Sequence, residues 1–318
     1  MSPPRVAVLA GGRSSEHDIS VASAAAVVHG LREAGYDAVC VPIARNGRWD
    51  LPPAPPEALF AGFDVVFPVL HGPFGEDGTV QGLLELADVA YVGAGVTASA
   101  LAMDKDLFKA VMRDQGIPVA PSLTLRASSG ENPFGYPVVV KPARLGSSYG
   151  ISIVRSPEEL GPALELAFAH DDKVLLEEYV RGVEIECSVL GNEEPVASVP
   201  GEIVPLRSDW YDFASKYEEG GMELVVPARI APEHAARVRE LAVGAFLAAD
   251  CEGMARVDFF VRDGGEVLVS ELNTIPGFTE TSVYAKLFEA SGIPYVELLR
   301  RLVRLALERH RRRRALRF

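Results

Sequence analysis

Cysteine is scarce in this chain, and its three occurrences, Cys40, Cys187 and Cys251, are odd in number and far apart. They make neither a C-x-x-C pair nor a zinc-ligand spacing, which excludes a disulfide framework and leaves them as expected core residues of a reducing compartment. Uncharged apolar runs long enough to cross a bilayer are also missing, and the apolar part of the opening MSPPRVAVLAGG is too short for a secretion signal. The expected location is the cytoplasm, with no membrane partner. Positive charge is in deficit, 31 Lys and Arg against 44 Asp and Glu, for a formal net charge of -13. A nucleic-acid binder needs a basic footprint and is excluded, whereas a small anionic ligand needs only local positive charge. No internal repeat occurs, and no G-x-x-x-x-G-K-[ST] phosphate loop. Arginine does gather at the end, in Arg309, Arg311, Arg312, Arg313, Arg314 and Arg317. This run continues the helical spacing of Leu298, Leu299, Leu302, Leu305 and Leu307 and is read as a solvated helix end with a fraying tail.

What is present is ample apolar material. A chain of 318 residues that is 48% hydrophobic can bury a substantial core and divide into two or three lobes. Residues 5–9 read as a strand that stops at Gly11 and Gly12, and residues 20–34 then carry helical spacing. Residues 39–43 and 65–70 repeat the strand signal, so roughly the first hundred residues form an α/β domain. Ligands of such sheets gather at the strand carboxyl ends, where Gly11, His71 and the run Gly93, Ala94, Gly95 lie. That run mimics a dinucleotide fingerprint, but no ribose-binding acid follows at the right distance. A helix over 98–115 leads to a strand at 138–141 and the turn Gly146, Ser147, Ser148, Tyr149, Gly150. Further strands are expected at 184–190, 256–261 and 266–272, with a helix over 233–249.

The most informative local pattern is the strand pair ARVDFFV and EVLVSELN, joined by Arg262, Asp263, Gly264 and Gly265, a composition suited to a tight turn. Centring the turn on Gly264 and Gly265 sets Asp258 opposite Glu271 and Arg256 opposite Asn273, all four on one face. Two carboxylates and an amide oxygen are hard donors of the kind Mg²⁺ shares with nucleotide phosphates. A plain polar hairpin face with Arg256 as a salt-bridge partner fits this pattern as well. Lys141 ends a strand just before a turn whose backbone amides and Ser147 and Ser148 hydroxyls can approach phosphate oxygens. Lysine, glycine loop and acidic hairpin together point to nucleotide chemistry.

The segments AGGRSSEHDIS, HGPFGEDGTVQG, MDK at 103–105, VVVKPARLGSSYG, EEYVRGVE, KY at 216–217, ARVDF and SELNTIPGFTETSVY occur in this order. In that order they resemble the D-alanine:D-alanine ligases of the ATP-grasp superfamily, over nearly the whole chain. The resemblance implies an α/β (α+β), three-lobed ATP-grasp fold. Residues 1–97 would be an open parallel α/β substrate domain and 98–181 a small central lobe. Residues 182–318 would be a larger antiparallel lobe with the metal site and a lid near 201–227. It also implies a homodimer and ATP-dependent ligation of two D-alanine molecules through D-alanyl phosphate, supplying a peptidoglycan precursor.

On these residues, the resemblance implies adenine against Glu177, Glu178, Tyr179 and Val180, the ribose on Glu184, and phosphates on Lys105, Lys141 and Ser148. Asp258, Glu271 and Asn273 would hold two Mg²⁺ ions, with Mn²⁺ able to substitute. Glu16 would meet the ammonium of the first D-alanine with His71 nearby, and Ser282 and Val283 the carboxylate of the second. Arg256 and the backbone at Gly277 would stabilise developing charge, and Lys216 would lie close to the reacting groups. Tyr217 would reach toward Ser147 and Glu16 and favour an amine nucleophile. Read without the resemblance, Glu16 is a helix N-terminal acid, Ser282 a helix cap and His71 a structural histidine. Other readings are a ligase of different specificity (D-serine, D-lactate or specialised metabolism), a non-catalytic ATP-binding regulator, and, more distantly, a dehydrogenase.

Overall fold

The computed structural model describes residues 3–127, 130–146, 149–206 and 221–317. The chain opens with β1 (Arg5–Gly11), α1 (His17–Glu33), β2 (Asp37–Ile43), a short α2 (Pro56–Leu59), β3 (Val65–Val69), α3 (Thr79–Leu86) and β4 (Ala90–Tyr91). These strands form a parallel sheet in the order β2-β1-β3-β4. Residues 6–10 are an unbroken apolar run because both sheet faces are covered: Val6 and Val8 enter one core cluster, Ala7 and Leu9 another. At the end of β1, Gly11 has φ +91 and a Cβ there would run into the Ile43 carbonyl, so only glycine lets the chain turn toward α1.

Two helices follow, α4 (Val96–Met103) and α5 (Lys105–Asp114), where the sequence pattern suggested one. The break is at Asp104, which leaves the helical backbone (φ -88, ψ 94) and accepts a hydrogen bond from the Leu107 amide at 3.2 Å. Its short carboxylate caps the new helix more favourably than it would continue the old one. A second sheet, antiparallel in the order β5-β8-β6-β7, contains β5 (Ser122–Leu125), β6 (Val138–Pro142), β7 (Ser152–Val154) and β8 (Val174–Glu178). Helix α6 (Pro157–Phe168), which the sequence reading did not anticipate, buries Ala163, Leu164 and Ala167 against it.

The third sheet has the order β12-β11-β9-β13-β14, with β10 on β9. Its strands are β9 (Val183–Gly191), β10 (Val196–Ala197), β11 (Gly201–Pro205), β12 (Met222–Val225), β13 (Gly253–Val261) and β14 (Val267–Asn273). Helices α7 (Pro232–Ala248), α8 (Val283–Ala290) and α9 (Tyr295–Arg314) complete the chain. The stretch expected to be a lid is strand at both ends, because β11 and β12 pair from Glu202 to Val225 and from Pro205 to Met222. Trp210, Tyr211, Lys216, Tyr217 and Gly220 between them lie outside the described residues. Helices α4 and α5 share an apolar core with β9, β13 and α7.

The arginine run is not a frayed tail. Helix α9 continues to Arg314, and Arg309 is buried, donating to the carbonyls of Tyr91, at 2.8 Å, and Gly93. Its guanidinium lies 4.2 Å from the centre of the Tyr91 ring, while Arg313 pairs with Glu85 and Arg312 with Glu193 and Glu252. Backbone carbonyls at the end of β4 need donors, and α9 supplies them. Gly93 is thereby committed to a structural contact. Cys187 and Cys251 are buried as expected, but Cys40 is exposed. No helix among the described residues is long and apolar enough to cross a membrane.

Candidate active site

The hairpin of β13 and β14 has the expected register at its functional end: Asp258 faces Glu271 and Arg256 faces Asn273. It reaches that register by two compensating departures. Near the turn the pairing is shifted by one, Phe259 with Val269 and Val261 with Val267, and an irregularity between Asp258 and Phe259 restores it. The extra residue is accommodated around Ser270, which moves the inward-facing set from Val267 and Val269 to Leu272. On the other side of β13, Asp258 pairs with Glu186 of β9, so three acidic residues stand in a row across three strands.

These charges are matched by bases. Arg256 donates to both Asp258 oxygens at 2.7 Å and lies 3.0 Å from Glu186. Asn273 Nδ2 donates to Asp258 Oδ2 at 3.0 Å, which turns its amide oxygen away from that contact. Lys105, at the start of α5, lies 3.6 Å from Glu271 and donates to the Leu145 carbonyl at 2.8 Å. Among the described residues no three His, Cys, Asp or Glu side chains converge as a metal cage. Two carboxylates and an amide oxygen fit a cation that completes its shell with phosphate oxygens and water, as Mg²⁺ does.

Above the hairpin, β6 and β8 wall a cavity that Lys105, Lys141, Glu177, Glu178, Tyr179, Val180, Glu184, Asp258, Phe260 and Glu271 line. Lys141 lies 2.7 Å from Glu177 Oε1, and Lys109, fully buried on α5, lies 2.7 Å from Glu177 Oε2. Burial alone would raise the Glu177 carboxyl, but the two ammoniums outweigh it and hold it below its ordinary value. Glu178 accepts from Arg262 at 2.7 Å, linking the second sheet to the hairpin turn. The apolar walls, Ile151, Ile153, Val180 and Phe260, suit a flat heterocycle.

A second cavity opens toward the parallel sheet, lined by Glu16, His71, Glu76, Gly146, Arg256, Asn273, Gly277, Ser282 and Val283, and Glu271 lines both cavities. Glu16 and Ser282 occupy the positions just before α1 and α8, as their cap readings require, yet neither side chain bonds its helix. Ser282 Oγ instead accepts from the Thr279 amide at 2.9 Å. The His71 ring nitrogen Nδ1 donates to the Ile275 carbonyl at 3.0 Å, while buried Nε2 has no hydrogen-bond partner among the described residues. Burial lowers the imidazole below its ordinary value, with the charge of Glu16 opposing, so Nε2 offers a lone pair. Burial, reinforced by Glu16, pushes the Glu76 carboxyl up to about 8.

Every candidate site residue that is described therefore lies on one of the two cavities. Ser147, Ser148, Lys216 and Tyr217 lie outside the described residues. Sequence reasoning missed Lys109, Glu76 and Glu186. Helical spacing from Lys105 signals Lys109, and alternation from Glu184 signals Glu186.

A parallel sheet followed by two antiparallel sheets, with a lysine-walled cleft between those two and an acidic hairpin as its floor, defines the ATP-grasp class of fold. Residues 111–304 match the family described as D-ala D-ala ligase C-terminus, and residues 5–59 and 50–94 match D-ala D-ala ligase N-terminus. The chain belongs to the D-Ala-D-Ala ligase family. It is 47% identical to the D-alanine–D-alanine ligase of Solibacter usitatus over 99% of this chain and 98% of that one. The solved D-alanine-D-alanine ligase of Coxiella burnetii superimposes with a TM-score of 0.87 at 37% identity, covering 99% of this chain and 97% of that chain. The VanG D-Ala:D-Ser ligase of Enterococcus faecalis does so with 0.85 at 35% identity, covering 96% of this chain and 99% of that chain.

Proposed function

We propose that this chain joins two D-alanine molecules into D-alanyl-D-alanine at the expense of ATP, as a cytoplasmic homodimer supplying a cell-wall precursor. The observation that carries the reading is the meeting of a cation-lined cavity and a second cavity with an acid and an imidazole at one residue, Glu271. Such a junction suits transfer of a phosphoryl group from a nucleotide to an amino acid. In this reading residues 1–97, 98–181 and 182–318 act as substrate, central and C-terminal lobes.

Adenine lies against Glu177, Glu178, Tyr179 and Val180, with the ribose hydroxyls on Glu184. Lys105, Lys141 and Ser148 receive the phosphates. Asp258, Glu271 and Asn273 hold Mg²⁺, or Mn²⁺ in its place, which when bound offsets phosphate charge. The ammonium of the first D-alanine pairs with Glu16 and donates to His71 Nε2, an acceptor only while that ring is neutral. Its carboxylate oxygen attacks the γ-phosphorus, releasing ADP and leaving D-alanyl phosphate. The amine of the second D-alanine then attacks the acyl carbon and phosphate departs. Its carboxylate is received by Ser282 and the start of α8 at Val283, where helix amides point outward. Arg256 and the Gly277 amide face the oxygen that gains charge. Ser147, Lys216 and Tyr217 are assigned to the same reaction by the family pattern, with Tyr217 favouring an amine over a hydroxy acid.

A second reading, in which D-serine is the second substrate as in the D-Ala:D-Ser ligase, is not favoured by the relatives named D-alanine–D-alanine ligases. Mass spectrometry of products from ATP, Mg²⁺ and D-alanine, alone and with D-serine or D-lactate, separates the two. D-alanyl-D-alanine as the main product is expected, and a mixed dipeptide or ester formed faster would replace the proposal.

A further inference from the structure

Lys109 stands behind the nucleotide cavity rather than on it. It is four residues from Lys105 and therefore on the same face of α5, but it does not line the nucleotide cavity and is fully buried. Its Nζ is 2.7 Å from Glu177 Oε2 and 3.4 Å from the Ala120 carbonyl, while Lys141 holds the other oxygen of Glu177 at 2.7 Å. Full burial of an ammonium is costly and persists only where a partner compensates it. The compensation here reaches the cavity, because one carboxylate shared by two ammoniums cannot neutralise both. The triad keeps one net positive charge, and of the two lysines Lys141 is the one that lines the cavity.

We infer that Lys109 is a positioning residue for nucleotide phosphates: it draws on Glu177 from behind, so that the charge of Lys141 remains available to the nucleotide. This rests on the proposed reading of Lys141 as a phosphate ligand. Without Lys109, Glu177 and Lys141 form a neutral pair, and an incoming phosphate must compete with the carboxylate for the ammonium.

The test is calorimetric titration of the full chain with ADP and with tripolyphosphate, a probe that has phosphates and no base. Lys109→Met weakens binding of both by roughly tenfold to a hundredfold and raises KM for ATP, with KM for D-alanine unchanged. Lys109→Arg keeps the charge and the affinity. Adding Glu177→Gln to Lys109→Met restores tripolyphosphate binding, because Lys141 is again unopposed; a packing role predicts no such rescue. Wild-type affinity in Lys109→Met, or no rescue in the double variant, overturns the inference. Should Lys109→Met not fold, Glu177→Gln alone decides: it tightens tripolyphosphate binding if the inference holds, and equal or weaker binding overturns it. Lys141→Met separates the two levels. If it leaves tripolyphosphate binding intact, the phosphate assignment fails and the inference with it; if it weakens binding while Lys109→Met does not, the inference alone fails.

Discussion

The two cavities that meet at Glu271 are built on different electrostatic plans. On the nucleotide side three acids are already matched by bases at 2.7 to 3.6 Å: Glu177 by Lys109 and Lys141, Asp258 by Arg256, Glu271 by Lys105. Groups held in pairs this way meet a polyanion with little reorganisation. On the amino-acid side, burial sets the charge instead, since it lowers the His71 imidazole and raises the Glu76 carboxyl. Substitutions should therefore divide: those in the first half change affinity for nucleotide, those in the second change affinity for D-alanine and the response to pH.

The largest effect is expected at the shared floor. Asp258→Asn or Glu271→Gln should cut turnover by roughly a thousandfold in an ADP-release assay while thermal unfolding moves little, because both groups serve ligands at a cleft. Retained turnover would remove the metal assignment. Next, Lys141→Met should raise KM for ATP by roughly a hundredfold and leave KM for D-alanine near wild type. Glu16→Gln should do the converse, raising KM for D-alanine by about tenfold through loss of one charge-assisted contact. Equal effects on both substrates in either variant would erase the division.

Smaller effects concern stability. Arg309→Met removes donors from the buried carbonyls of Tyr91 and Gly93 and should cost roughly 2 kcal/mol in denaturant unfolding without moving either KM. The smallest is a change of slope. The Glu76 carboxyl rises from 4.5 to about 8 on folding, so the folded state binds more protons in that window and stability falls as pH rises through it. Glu76→Gln should flatten that part of the stability profile, and an unchanged slope would show that Glu76 titrates normally.

Much of the hairpin was legible because strand alternation and turn composition are local. The register at Asp258 and Glu271 nevertheless came out through a turn shift cancelled by a bulge, and the switch from Val267 and Val269 to Leu272 was its trace in the sequence. The break at Asp104 was missed: the spacing over 98–115 reads as one helix, and the capping carboxylate inside that apolar pattern was its only local sign. Arg309 was not legible, because in a run of arginines nothing local marks the one whose carbonyl partners lie more than two hundred residues away. Helical spacing put Lys109 on the face of Lys105, but its burial was hidden for the same reason: it depends on Glu177 arriving from β8.

The most direct measurement follows oxygen. D-Alanine labelled with ¹⁸O in its carboxylate, incubated with ATP and Mg²⁺, should transfer one labelled oxygen to each phosphate released, because that oxygen bridges carbon and phosphorus in D-alanyl phosphate. Dipeptide formed alongside wholly unlabelled phosphate would contradict acyl activation at this site.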